Sequence, residues 1–215
     1  MTSSFPASHK LVVLGVPLVL GLLEIGHPAL LPAQNILETL APIASWWTAL
    51  HVAQIPLFAL MGLAVLLLVR DLHGRAARIS RWAASIFIVV YPAFDAAVGV
   101  ASGVMVHTLA ALEPARRGAL EAGLQALFWG PVTGAMAIVG SASWFVALVA
   151  AATAWRRAGA PWYAVMALGL SGVLLGTTHI RPIGPLACLC FLVGGAWVVF
   201  RTSQGRAQTP GVSPR

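Results

Sequence analysis

Charged side chains are what this chain has least of. Only 9% of its 215 residues are Asp, Glu, Lys or Arg, against 59% hydrophobic, and the mean hydropathy is +0.88. Soluble globular domains carry about a quarter charged residues, so a soluble enzyme or soluble binding module is excluded and lipid is the expected solvent. Acid is scarcer than base, with 6 Asp and Glu against 13 Lys and Arg and a net charge of +7. The bases are divided among apolar runs and form no patch with interleaved aromatics, so nucleic acid is not an expected partner. Cysteine is nearly absent. Cys188 and Cys190 stand two residues apart, on roughly opposite sides of a helix, which excludes a local disulfide and argues against a shared metal. They are expected to be packing residues. Phosphate-cradling glycine loops, a serine nucleophile elbow, HExxH and CxxC are missing as well, and with them the catalytic classes they specify.

What the chain does have is apolar runs. Six of them, near 11–31, 47–69, 82–106, 126–155, 162–178 and 186–200, are spaced for six membrane helices joined by short connections. The sequence therefore predicts an all-α polytopic membrane bundle, residues 11–200, with a short arm at 1–10 and a Gly, Pro and Ser-rich tail at 201–215 expected to be disordered. The bilayer of the cell membrane is its expected surrounding. The first run is long, carries Glu24 and His27 and is followed by no small-x-small cleavage site, so it is expected to stay as a span and not to be removed as a signal peptide. In the connection 32–45, Ile36, Leu37, Leu40 and Ile43 recur at helical spacing, which suggests a short helix on the membrane surface. Trp46 and Trp47 then mark an interface. Pro131 near the start of the fourth run predicts a kinked or interfacial first turn. The longest polar connection, 108–125, is expected to cap the bundle.

Orientation follows from the bases. With the N-terminus inside, Lys10, Arg70, Arg75, Arg78, Arg81, Arg156, Arg157, Arg201, Arg206 and Arg215 are cytoplasmic, and only Arg116, Arg117 and Arg181 lie outside. Both termini are thus expected in the cytoplasm.

The intramembrane polar residues converge on the opposite, outer side, and ionisable residues at such depth are functional by default. Glu24 and His27, three apart, share a helix side near the outer end of the first span, and His51 and Gln54 are similarly placed on the second. Asp95 lies nearer the midplane, in a stripe of Tyr91, Asp95, Val98 and Ser102. Gly99 and Gly103 match the small-xxx-small pattern of close helix contact. On the fifth span Gly169, Gly172 and Gly176 form a small face that His179 continues. His107 is expected at a helix end in water, although it shares the outer side, and His9 and His73 fall on the basic side.

Neutral imidazole binds zinc, iron and copper, and carboxylates complete such a shell or orient a histidine from behind it. The expected site therefore has Glu24, His27, His51 and His179 as metal ligands, Asp95 or Glu24 as general base, and Gln54, Tyr91 and Ser102 in support. Zinc with an open position suits lipid or amide hydrolysis, iron is the other metal expected, and haem between two histidines would suit electron transfer. Glu24 with His27 has the Glu-x-x-His spacing of di-iron bundles, but a second copy is absent. Two other classes stand beside this expectation: a small-solute or proton-coupled transporter using Asp95, and a non-catalytic scaffold that forms homo- or hetero-oligomers through its glycine-rich faces.

Overall fold

A computed structural model describes residues 5–28, 35–113 and 116–204, and their regular structure is entirely helical. Five helical stretches, Ala7–Ile25, Ile36–Leu68, Arg75–Ala110, Leu120–Arg157 and Ile183–Arg201, are long and apolar enough to cross a membrane, and the apolar helix Trp162–Thr177 is shorter. The first three are α1, α2 and α3. The fourth is broken where Gly130 adopts an extended backbone (φ −72°, ψ 164°), which makes it α4, Gly118–Trp129, followed by α5, Pro131–Arg157. Pro131 thus opens a new helix, where its missing N–H costs nothing, and does not kink one in progress. Trp162–Thr177 is α6 and Ile183–Gln204 is α7.

The helices close into a ring in the order α1, α2, α3, α5, α6, α7 and back to α1. An aromatic column fills it. Trp144 of α5 lies 4.8 Å from the Phe87 ring of α3 and 5.9 Å from Phe191 of α7, all fully buried. Hydrogen bonds also lock neighbours together, as Ser80 Oγ on α3 donates to Ala147 O on α5 at 2.8 Å and Trp144 Nε1 donates to Ser171 O on α6 at 3.3 Å. The outward faces are apolar, with Leu11, Val89, Val132 and Ile138 among the most exposed residues. Apolar surface outside as well as inside is the arrangement a lipid solvent allows and water does not.

One connection is helical further than a loop requires. Residues 36–45 continue into α2, and Ile36, Leu37 and Leu40 are buried against Leu109 of α3 and Leu124 of α4. Asn35 starts that helix, its Oδ1 accepting from Leu37 N at 3.0 Å and Glu38 N at 3.3 Å. The rest of the expected surface segment, and the tail 205–215, fall outside the described residues. The connection after α3 does cover one end of the ring, through α4.

The two ends of the ring differ in chemistry. At one, the start of α1 meets the end of α2, where Arg70 and His9 Nδ1 are 2.7 Å apart, and the end of α7 meets the turn before α6, where Arg201 donates to Gly159 O at 3.0 Å. At the other, the chain just past α1, the middle of α2 and the chain just past α6 bring three histidines together.

Candidate metal centre

Each histidine arrives by a different local device. α1 stops at Gly26, and Pro28 forbids its continuation, so His27 lies just past the helix and turns freely into the ring. His51 stands inside α2, its ring laid on Gly99 of α3, where a β-carbon would overlap it. His179 follows α6 by two residues, after Thr178 turns extended (φ −168°, ψ 153°) and its Oγ1 accepts from Ile180 N at 3.2 Å. A nitrogen from each of His27, His51 and His179 lies within 4.8 Å of the others. The His27 ring centroid is 5.2 Å from that of His51 and 4.8 Å from that of His179.

All three Nδ1 atoms have a hydrogen-bond partner. His27 Nδ1 is 2.8 Å from Pro28 O and His51 Nδ1 is 2.7 Å from Trp47 O. A carbonyl only accepts, so both Nδ1 atoms carry hydrogen and donate, leaving the lone pair on Nε2. His179 Nδ1 shares a hydrogen bond of 2.9 Å with the Tyr91 hydroxyl. The Nε2 atoms of His27 and His179 are buried without a hydrogen-bond partner among the described residues, and His51 Nε2 faces Asp95 Oδ1 at 3.9 Å. Buried polar atoms are nearly always satisfied. Three of the exceptions, on His27, His179 and Asp95, lie around this one point.

Asp95 lies at the seam between regular helix and the wider π-helical turns Ala96–Ala101 of α3. Such segments are rare and concentrate at functional sites. Its Oδ2 is buried and has no hydrogen-bond partner among the described residues. Around it, Trp47 Nε1 donates to Gly99 O at 2.8 Å and to Ser102 Oγ at 3.2 Å, while Ser102 itself donates to Val98 O. Trp47 in turn packs on the His51 ring at 4.1 Å, so Ser102 acts on the histidine through the indole. A cavity of about 180 Å³ opens onto the trio, floored by the histidines and Asp95 and walled by Trp47, Phe94, Phe128 and Trp129. No protein-family model, curated protein or solved structure matches this chain.

Of the residues singled out from the sequence, His27, His51 and His179 come together, with Asp95 beside them and Tyr91 and Ser102 behind. Glu24 does not join the trio. Its Oε1 accepts from Gln54 Nε2 at 2.6 Å, and both residues are fully buried. The shared helix side of Glu24 and His27 is lost because α1 ends between them. His107 is exposed and apart, as are the solvated positions at the basic end such as His73. Cys188 and Cys190 are unbonded, and Cys188 packs against Gly21. The unforeseen member is Trp47, which the sequence suggested as an interface anchor. It is 3% exposed and walls the cavity, while its neighbour Trp46 is half-exposed.

Proposed function

We propose that this chain is a membrane-embedded metalloenzyme in which His27, His51 and His179 hold one transition-metal ion, zinc foremost, for a hydrolytic reaction. The observation that carries the proposal is the convergence of three imidazoles whose Nδ1 atoms are all tied back. That is how metal-binding histidines are held, the outer hydrogen bond fixing tautomer and ring orientation. Catalytic zinc keeps three protein ligands and one open position. Zinc-bound nitrogens at about 2.0–2.1 Å sit roughly 3.3 Å from one another, so from separations of up to 4.8 Å binding would draw them together by up to about 1.5 Å.

A bound ion would supply Lewis acidity at the open position. Asp95, 3.9 Å from His51 Nε2, is close enough to take a proton from a water or substrate beside the ion. The aromatic wall excludes bulk water and suits the apolar part of an amphiphilic substrate. Three imidazole nitrogens close together favour a single ion over electron-transfer haem, whose two histidines would stand on opposite faces of a flat slot. A transport role is less well supported, because the fully buried Phe58, Phe87 and Trp144 lie across the ring beneath the site and offer no polar route through it. Eight of the eleven bases among the described residues fall on the side opposite the histidines, which supports cytoplasmic termini and a site facing outward across the cell membrane.

The test is metal analysis and an optical spectrum of detergent-purified protein, beside His27→Ala and His179→Ala. One ion per chain, lost in both variants, is expected. Metal-free protein that takes up no added zinc or iron would overturn the proposal, and a Soret band would replace it with the haem reading.

A further inference from the structure

At the opposite end of the ring, two arginines frame a groove that the histidine centre does not use. The Arg156 guanidinium, at the end of α5, lies 4.6 Å over the Trp162 ring, and that of Arg201, at the end of α7, lies 4.9 Å over Trp197. Both are also anchored to the turn between α5 and α6, Arg156 donating to Ala160 O at 3.3 Å and Arg201 to Gly159 O at 3.0 Å. Each guanidinium carries five N–H donors, so this anchoring leaves donors on both for another acceptor. Among the described residues no carboxylate lines the groove between them.

A second, apolar furrow of about 610 Å³ begins at the same Arg156 and Trp162 and runs down between α5 and α6 past Val149, Met166 and Val173. Gly169 leaves its floor open, with no atom within 4 Å of where a β-carbon would stand. Tryptophan at the head and exposed aliphatic side chains below are the profile of a membrane interface passing into hydrocarbon. A cationic, acid-free head joined to an apolar channel has the polarity of one kind of molecule.

We propose that Arg156 and Arg201 together bind the phosphate headgroup of an anionic glycerophospholipid, with one of its acyl chains lying in the α5–α6 furrow. Basic pockets between helices on the cytoplasmic side recognise such headgroups, and the planar guanidinium suits phosphate in two-point contact. The aromatic stacking holds both guanidiniums in place before the lipid arrives, so little side-chain freedom is lost on binding. This site is independent of the metal reading.

The test is native mass spectrometry of the detergent-purified full chain titrated with phosphatidylglycerol, with phosphatidylcholine, and with glycerol phosphate as a soluble competitor. Phosphatidylglycerol is expected to bind on the order of tenfold tighter than phosphatidylcholine, and R156Q/R201Q to lose that preference. Gly169→Trp, which fills the furrow, is expected to weaken binding of both lipids by a similar factor, and R75Q/R78Q, at another basic segment, to leave it unchanged. Circular dichroism checks that each variant is folded, and R156K/R201K, which keeps the charge, serves if the glutamine variant is not. Equal binding of the two lipids, or wild-type binding by the folded arginine variant, would overturn the proposal. So would displacement by glycerol phosphate alone, which would assign a free phosphate ester, or a Gly169→Trp variant that changes only the oligomeric state, which would give the furrow to a second copy of the chain.

Discussion

The His51 ring rests on the bare α-carbon of Gly99, so that α2 and α3 touch where the histidine is presented. Gly99→Ala should therefore push His51 out of line. Overpacking of this kind costs about 1–3 kcal/mol, and a shift of about 1 Å in one ligand is enough to weaken a metal site severely. Gly103, one turn on, lies against Thr48 and Trp47 instead. Gly103→Ala is expected to destabilise the fold comparably while leaving more of the metal bound. Thermal unfolding and zinc titration of the two variants, side by side, check the distinction.

Tyr91 reaches the site only through the Nδ1 of His179. Its ring is held independently, 4.7 Å from Phe58 and stacked at 5.0 Å on Phe87. Tyr91→Phe keeps that packing and removes the hydroxyl. Loss of such an orienting group typically lowers metal affinity by roughly 10–100-fold, and that is the expected result of competitive chelator titration, with little change in unfolding temperature.

Glu24 and Gln54 form a buried pair beside the trio. Glu24→Gln is expected to keep the stoichiometric metal that His27→Ala loses. Gln54→Leu strips Glu24 of its hydrogen bond, and leaving such a buried group unsatisfied costs about 1–3 kcal/mol or more when charged. Its effect should appear in stability first. Loss of the ion in Glu24→Gln would instead make the carboxylate a ligand.

Protons and the metal compete for the same Nε2 lone pairs. Burial holds the His27 and His179 imidazoles below their ordinary pKa, so affinity should fall only as pH is lowered beneath the ordinary histidine range, and equilibrium dialysis against zinc carried from about pH 8 down to about pH 4 should show it. Affinity unchanged at the acid end of that interval would contradict imidazole ligation.

Much of this architecture is legible in the sequence, for identifiable reasons. Composition fixes the solvent, and lipid permits helices, so the all-α bundle follows from apolar run lengths. The stripe of Tyr91, Asp95, Val98 and Ser102 is buried as helical periodicity requires, even though π-helical turns interrupt it. Gly99 carried its close contact in the small-xxx-small spacing. What periodicity does not reach is the chain just beyond a helix end. His27 leaves the face of Glu24 because Gly26 stops α1, a signal present in Gly26-His27-Pro28 but overridden by the helical count. His179 likewise reaches the site from an extended turn, while Gly172 and Gly176 pack on α5. Trp47 was ambiguous by nature, since an interfacial anchor and a buried wall draw on the same side chain, and only the neighbouring Ser102 and Gly99 carbonyl decide between them.

X-ray absorption at the metal edge of zinc-loaded, detergent-purified protein tests the central claim most directly. The account predicts one ion with three imidazole nitrogens at about 2.0–2.1 Å and a single further light ligand, with the imidazole count reduced in His179→Ala. A shell with sulfur, a carboxylate-dominated shell, or zinc scattered over surface sites with no imidazole signature would contradict it.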